Sequence, residues 1–433
     1  MMKKIILFLS FLACWACTSE SKKIQFSGTE IDKVVQEMTE MMIHDVSNPP
    51  LAMRFFSYAC LAGYQVMTEA DSSLNAFQKQ FNAYPSFTPD KSLEAPEFTA
   101  VLAMMEVSQK MQPSGGRMKE FESRYIDSCR QLGLSNEVIE SSTQKAQAVA
   151  KVILAYAKAD GYNKLSNFPK YTPKKTAGSW YSTPPGYFPA VEPYFYRIRS
   201  FSLDTNKIEE IPAPAPYSES NSSNFYALSK AVYEANKSEE NLKIAAFWDC
   251  NPFALNDQGH LLIGMKKISP GAHWMGIAGI ASAKKQLKFG ESLAIRTALA
   301  TSLMDAFWLC WREKYHSHRI RPETAIRKLI DPTWKPFLQT PPFPEYPSGH
   351  STVSTTAAIV LTHFFGPNFA YTDTVEKRYD IHDRSFTSFE AAAQEASISR
   401  FYGGIHYMDG IEAGQTQGRI LGKHFLTLLK HEN

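Results

Sequence analysis

The chain has 433 residues, 44% hydrophobic and 21% charged, with 46 Lys and Arg against 43 Asp and Glu for a formal net charge of +3. That near-balance, with the basic residues dispersed, excludes a dedicated nucleic-acid surface. The six cysteines are scattered without metal-ligand spacing, which excludes a cysteine-rich zinc scaffold.

In chain order, Met1-Met-Lys-Lys4 precedes the apolar run Ile5 to Trp15, and Ala16-Cys17 follows. A short basic start, an apolar stretch and a small residue before cysteine read as an export signal over residues 1–17, with Cys17 as the lipid-bearing residue. Cys14, after Phe-Leu-Ala, is the rival position. The mature protein is thus expected outside the cytoplasm, anchored by lipid. Further on, no run reaches the roughly 18 uninterrupted apolar residues of a membrane span.

Helical periodicity over 29–46, 50–70, 96–110, 117–132 and 136–159 predicts a first helical bundle within residues 18–169. Residues 170–223 carry Pro184-Pro185 and Pro212-Ala-Pro-Ala-Pro216 with many Gly, Ser and Tyr, so they read as an irregular ordered crossover. Its Tyr187, Phe188, Tyr194 and Phe195 are expected to pack, some at a substrate mouth. Helical patterns return over 224–235, 239–247, 273–284, 291–314, 350–365, 388–401 and 407–431. The predicted class is all-α, with two helical bundles and an oxyanion site in the second, residues 224–433.

The chemistry concentrates in three short segments of that second half. Lys314 is followed seven residues later by Arg321-Pro322; then come Pro347-Ser348-Gly349-His350 and Ser399-Arg400, the latter leading to His406. Together they bring three cations, a hydroxyl, a flexible turn and two imidazoles. Guanidinium groups match the oxygens of a tetrahedral anion in pairs, and lysine adds a point charge. Gly349 lets backbone N–H groups approach that anion at the start of a helix, where the dipole also favours it. Two histidines then divide the work between nucleophile or ligand and general acid/base. The seven-residue spacing predicts Lys314 and Arg321 on one face of a helix that ends near Pro322.

This triple motif resembles the superfamily of type-2 phosphatidic acid phosphatases, bacterial acid phosphatases and vanadium-dependent haloperoxidases, over residues 298–422. The segment Phe343-Pro-Glu-Tyr-Pro-Ser-Gly-His350 is similar to the haloperoxidase branch, whose aromatic seven residues before the histidine shapes a halide pocket. Trp311 stands at another position that is aromatic in some haloperoxidases. Ala246-Phe-Trp-Asp-Cys-Asn-Pro-Phe253 and Gly271-Ala-His-Trp-Met-Gly-Ile-Ala278 are similar to bacterial members, including iodide-oxidising ones.

The resemblance implies vanadate held through a ring nitrogen of His406. Lys314, Arg321, Arg400, Ser348 and the Gly349 N–H would neutralise its oxygens. His350 would move protons as hydrogen peroxide binds, and halide, iodide or bromide before chloride, would become hypohalous acid. The alternative within the superfamily is an acid phosphatase in which His406 becomes a phosphohistidine and His350 protonates the leaving alcohol. A third reading, a lipoprotein that only binds phosphate, conflicts with a complete catalytic set.

One departure stands out. The family usually places an aspartate four residues after the third-motif histidine, where this chain has Gly410, with Asp409 one residue early. Asp409, or Glu412, is the expected partner of His406, failing which the partner comes from elsewhere. Other tempting residues have simpler readings. His316 and His318 suit a pocket rim or open solvent, His273 a capping or packing role or a place just behind the site, and Glu376, Asp380 and Asp383 a hydrated face. Cys60 and Cys310 suit buried thiols.

Overall fold

The computed structural model describes residues 24–88, 92–235, 238–257, 262–265 and 267–430. Cys14 and Cys17 lie outside them. The first helices are α1 (Gly28–His44), α2 (Pro49–Ala70), α3 (Pro96–Met111), α4 (Gly115–Gln131) and α5 (Asn136–Lys158). Their starts follow local chemistry. Ser27 forms a capping box with Glu30, Asn48 caps α2 ahead of Pro49, and Ser135 caps α5. Helix α2 is buried along nearly its whole length, between α3 and α5 on its own side and α9 on the other.

The crossover, residues 170–223, contains only the short 3-10 turn Phe195–Arg197, and another, Tyr162–Asn167, precedes it. Polar anchors tie it down. The Asp305 carboxylate receives the backbone N–H groups of Phe201 and Ser202 at 2.7 and 2.8 Å, and Trp308 Nε1 donates to the Ile198 carbonyl. Of its aromatics, Phe195 is buried and Tyr187 is exposed.

The second half comprises α6 (Asn224–Tyr233), α7 (Glu239–Phe247), α8 (Pro270–Lys284), α9 (Phe289–Ser317), α10 (Pro322–Leu329), α11 (Gly349–Phe365), α12 (Phe389–Tyr402) and α13 (Met408–Leu429). Among the described residues α9 alone is long and apolar enough to cross a membrane, yet 94% of its apolar window is buried by the fold. It packs on α2, α8, α11 and α13, and one continuous hydrophobic cluster runs from α1 to α13.

Three features depart from expectation. Helix α9 ends at Ser317 with His318 left-handed at φ 50°, so Lys314 and Arg321 do not share a helix. Arg321 is instead the extended residue preceding α10, and Pro322 starts a helix rather than only stopping one. Two hairpins of three-residue strands also occur: β1 (Leu255–Asp257) with β2 (Leu262–Gly264), and β3 (Tyr371–Asp373) with β4 (Arg384–Phe386). Strands this short carry no alternation to read.

Gly410, Gly414, Gly418 and Gly422 are spaced four apart on one face of α13; through Gly414, Gly418 and Gly422 that helix approaches the start and middle of α11 closely, while Gly410 faces Glu345 in the loop before it. A Cβ on Gly414 would lie 2.6 Å from the Ser348 carbonyl oxygen, and one on Gly418 2.6 Å from that of Thr352. Mid-helix Gly→Ala normally stabilises by about 1 kcal/mol. Gly414→Ala should reverse that sign, destabilising by about 1–3 kcal/mol through overpacking in denaturant unfolding. A stabilised variant would contradict the close contact.

Candidate active site

Four chain ends converge on one narrow cavity: the end of α9, the loop 343–348 with the start of α11, the end of α12, and the residues leading into α13. Gly349, His350, Arg400, His406, Trp311 and Phe343 line it, with Asp249, Cys250 and Asn251 from the segment after α7. Lys314, Arg321 and Ser348 are wholly buried behind that lining. Buried charge on this scale requires partners.

Those partners are mostly carbonyls. Arg321 Nε donates to the Phe343 carbonyl at 2.9 Å, while Nη1 donates to the Ile405 carbonyl at 2.9 Å and reaches His406 Nε2 at 3.1 Å. Its Nη2 has no partner among the described residues. Arg400 Nε donates to Ser399 Oγ at 2.9 Å and Nη2 to the Ala245 carbonyl at 3.2 Å. Lys314 Nζ spends its hydrogens on the carbonyls of Pro344, Glu345 and Pro347 at 3.0, 3.0 and 2.5 Å. Lysine therefore shapes the loop and adds its charge from behind. Ser348 caps α11, its Oγ receiving from Ser351 N and Ser351 Oγ at 3.3 and 2.9 Å, which leaves the hydroxyl hydrogen to give. At Gly349 a Cβ would make only ordinary contacts of 3.7–3.9 Å with Trp311, Cys310 and Lys314, so the packing does not itself demand glycine.

The imidazoles are complementary. His406 Nδ1 is bonded to Glu345 Oε1 at 2.7 Å, turning Nε2 toward Arg321 and the cavity. His350 bonds the Trp248 backbone, and its Nε2 is buried without a partner. Burial, then Arg400 and His406, holds His350 well below the ordinary imidazole value. Burial, then Arg321 and Lys314, does the same to His406. Both are thus held in the neutral form, His350 Nε2 without a partner among the described residues and His406 Nε2 facing Arg321 Nη1. Burial pushes Lys314 down to about 8 and Arg321 down to about 10.

Trp311 and Phe343 pack with ring centroids 4.9 Å apart, and Lys314 Nζ lies 5.8 and 5.2 Å from the two rings. Trp311 Nε1 donates to the Val191 carbonyl of the crossover at 3.1 Å.

The expected partner of His406, Asp409, is not in contact with it: Asp409 Oδ1 instead accepts from Arg319 Nη1 at 2.7 Å. Glu345 takes that place, and its carboxylate also meets Arg319. Glu376, expected on a hydrated face, is 4% exposed. Its Oε1 lies 3.6 Å from Cys250 Sγ, which lies 3.4 Å from His273 Nδ1; His273 Nε2 bonds Asp373 at 2.8 Å. These four groups satisfy one another behind Trp248, whose ring stacks on His273 at 4.8 Å. His273 thus does more than cap or pack. Asp380, Asp383 and His316 are exposed, as expected, and His318 receives the Tyr171 hydroxyl at 2.7 Å. Cys60, Cys129, Cys250 and Cys310 are buried free thiols.

Glu345, Arg319 and Trp248 carried no assigned role in the sequence. A glutamate and an arginine placed inside the motif segments, with apolar neighbours, were the available signal.

The family described as the VCPO second helical-bundle domain matches residues 294–432. A crystal structure of a bacterial vanadium-dependent iodoperoxidase is 40% identical, with a TM-score of 0.87, covering 95% of this chain and 98% of that one. This chain belongs to the vanadium-dependent haloperoxidases. Holo and apo structures of bacterial vanadium-dependent chloroperoxidase, at 15% and 17% identity and TM-scores of 0.62 and 0.64, share the fold; they cover 88% and 89% of this chain and 92% and 95% of their own. No curated protein matches the chain.

The residues of this haloperoxidase fit vanadate. Among the described residues Arg321 Nη2 and His350 Nε2 are buried and unpartnered, Ser348 has a hydrogen to give, and His406 turns an Nε2 whose one contact is Arg321 Nη1 toward the cavity. A tetraoxo anion supplies the acceptors that Arg321 Nη2 and the Ser348 hydroxyl lack, and its central atom and any protonated oxygen suit the lone pairs of the two imidazoles.

Lys314 sets a pH dependence. Its proton is present below about 8 and lost above, while a bound anion favours the charged form. Vanadate affinity should therefore hold below that point and fall above it, approaching about tenfold per pH unit. Lys314→Met should bind more weakly at low pH and lose that part of the decline. Comparing the two profiles by equilibrium binding cancels the titration of the anion itself. Parallel profiles would show that Lys314 does not titrate there.

Proposed function

We propose that this haloperoxidase oxidises iodide, and bromide less readily, by H2O2 + I− + H+ → HOI + H2O. The observation that carries the reading is the pair of neutral imidazoles presenting Nε2 to a cavity edged by buried cations. His406 would hold vanadium; Arg321, Arg400, Ser348 and the start of α11 would hold its oxygens, with Lys314 charged behind them. Bound vanadate supplies Lewis acidity toward peroxide without changing oxidation state. His350 Nε2 takes the proton that incoming peroxide gives up and returns it as water leaves, while its bond to the Trp248 backbone keeps the ring in place.

Two points support the softer halides. The relative at 40% identity is an iodoperoxidase. The Trp311–Phe343 face is apolar, and stripping water from a halide to rest there is least unfavourable for the largest, most weakly hydrated ion. We also propose export, with a lipid anchor at Cys17, from the basic start, the apolar run and the Ala16-Cys17 junction.

The purified protein loaded with orthovanadate should oxidise iodide faster than bromide and bromide faster than chloride, with hydrogen peroxide required. The vanadate-free protein, assayed with p-nitrophenyl phosphate, provides the comparison. Phosphatase turnover without halide oxidation at any vanadate loading would overturn the reading in favour of the phosphohistidine alternative. His406→Ala should abolish oxidation, since nothing replaces its bond to the anion.

Phe343→Ala should change the iodide-to-bromide rate ratio more than vanadate affinity. Equal loss for both halides alongside weakened vanadate binding would mean that Phe343 only supports Arg321, which lies 5.1 Å from its ring.

A further inference from the structure

Glu345 is wholly buried, and every polar part of it is engaged. Oε1 receives His406 Nδ1 at 2.7 Å and the Tyr407 backbone N–H at 3.3 Å. Oε2 receives Arg319 Nη1 at 3.3 Å, and the same nitrogen is held by Asp409 at 2.7 Å. The backbone is fixed as well. Glu345 N donates to the Arg319 carbonyl at 3.0 Å, and the Glu345 carbonyl receives Lys314 Nζ at 3.0 Å. Against burial, the neighbouring Glu345 and Asp409 raise Arg319 above its ordinary value, so the guanidinium stays charged. The first motif thus clamps Glu345 at three points while its carboxylate faces the third.

Gly410 completes the picture. A Cβ there would lie 2.3 Å from Glu345 Oε1 and 3.1 Å from its carboxyl carbon. A side chain at 410 and the carboxylate of Glu345 compete for one volume, and glycine gives that volume to Glu345.

We propose that Glu345 is the positioning residue for His406. Held by Arg319 and Asp409, it fixes the Nδ1–H tautomer, leaves Nε2 as the nitrogen that meets the anion, and strengthens that nitrogen as a donor. Gly410 is the space that arrangement needs. A carboxylate borrowed from the second motif does what a carboxylate growing from residue 410 would otherwise do. The inference uses the haloperoxidase reading only for the identity of the anion.

Three measurements test it. Nitrogen-15 NMR of the histidine ring in the vanadate-free wild-type protein should find His406 protonated on Nδ1; protonation on Nε2 overturns the proposal without any substitution. Glu345→Gln should weaken vanadate binding about 10–100-fold in equilibrium titration, with its melting transition recorded alongside. Wild-type affinity in a folded Glu345→Gln protein also overturns it. Finally, Glu345→Ala/Gly410→Asp should recover at least about tenfold of the vanadate affinity lost in Glu345→Ala, while Gly410→Asp alone, facing an intact Glu345, should bind more weakly than wild type. A double variant no better than Glu345→Ala, with both folded, means that Glu345 acts only as a structural partner of Arg319. Absence of peroxide-dependent halide oxidation in the wild-type protein would sink the functional reading yet leave the tautomer and affinity results standing.

Discussion

Like charge forced into a small dry space is the constraint around which this molecule is organised. Lys314, Arg321 and Arg400 are buried within one site, and burial depresses the pKa of each. Such a cluster is unfavourable on its own account and survives because the surrounding fold stabilises it. The compensation is specific: carbonyls of the loop before α11 take the lysine hydrogens, Arg321 is tied to the carbonyls of Phe343 and Ile405, and Glu345 with Asp409 neutralises Arg319. Among the described residues an arm of Arg321 and the Nε2 of His350 remain unpaired in the site, and they point to where an anion belongs.

Holding that cluster together needs rigid neighbours. Helix α9 provides the floor, clasped by α2 from the first half of the chain and by α11 and α13 from the second. The glycine face of α13 lets its backbone rest against α11, so the two histidine-bearing helix starts have little freedom to part. The first bundle contributes Pro49 to the cavity wall, and through α2 it stiffens the helix that carries Lys314 and Trp311.

Much of this was legible in the sequence because it is local. Helix limits followed caps and apolar periodicity, as at Ser27 and Asn48, and Arg321 fell in extended backbone because proline follows it. The three motifs announced the site because their residue types have few other uses together. What stayed hidden depends on encounters between distant positions. The chain reversal at His318 breaks the apparent register of Lys314 with Arg321 and has no strong local signal, since non-glycine residues in left-handed backbone are uncommon and no glycine marks the turn. Glu345 sits inside a quoted motif, but its partnership with His406 arises from a contact across 61 positions. The burial of Glu376 likewise comes from His273 and Cys250, remote in sequence, rather than from its polar neighbours.

The Val191 carbonyl receives both the Trp311 indole and the Tyr315 hydroxyl, the latter at 2.6 Å. A single peptide group in the irregular crossover therefore sets the attitude of the aromatic wall proposed to receive the halide. On that proposal, the preferred ion could be retuned by editing a strap that carries none of the signature residues, without touching the residues that cradle the oxyanion.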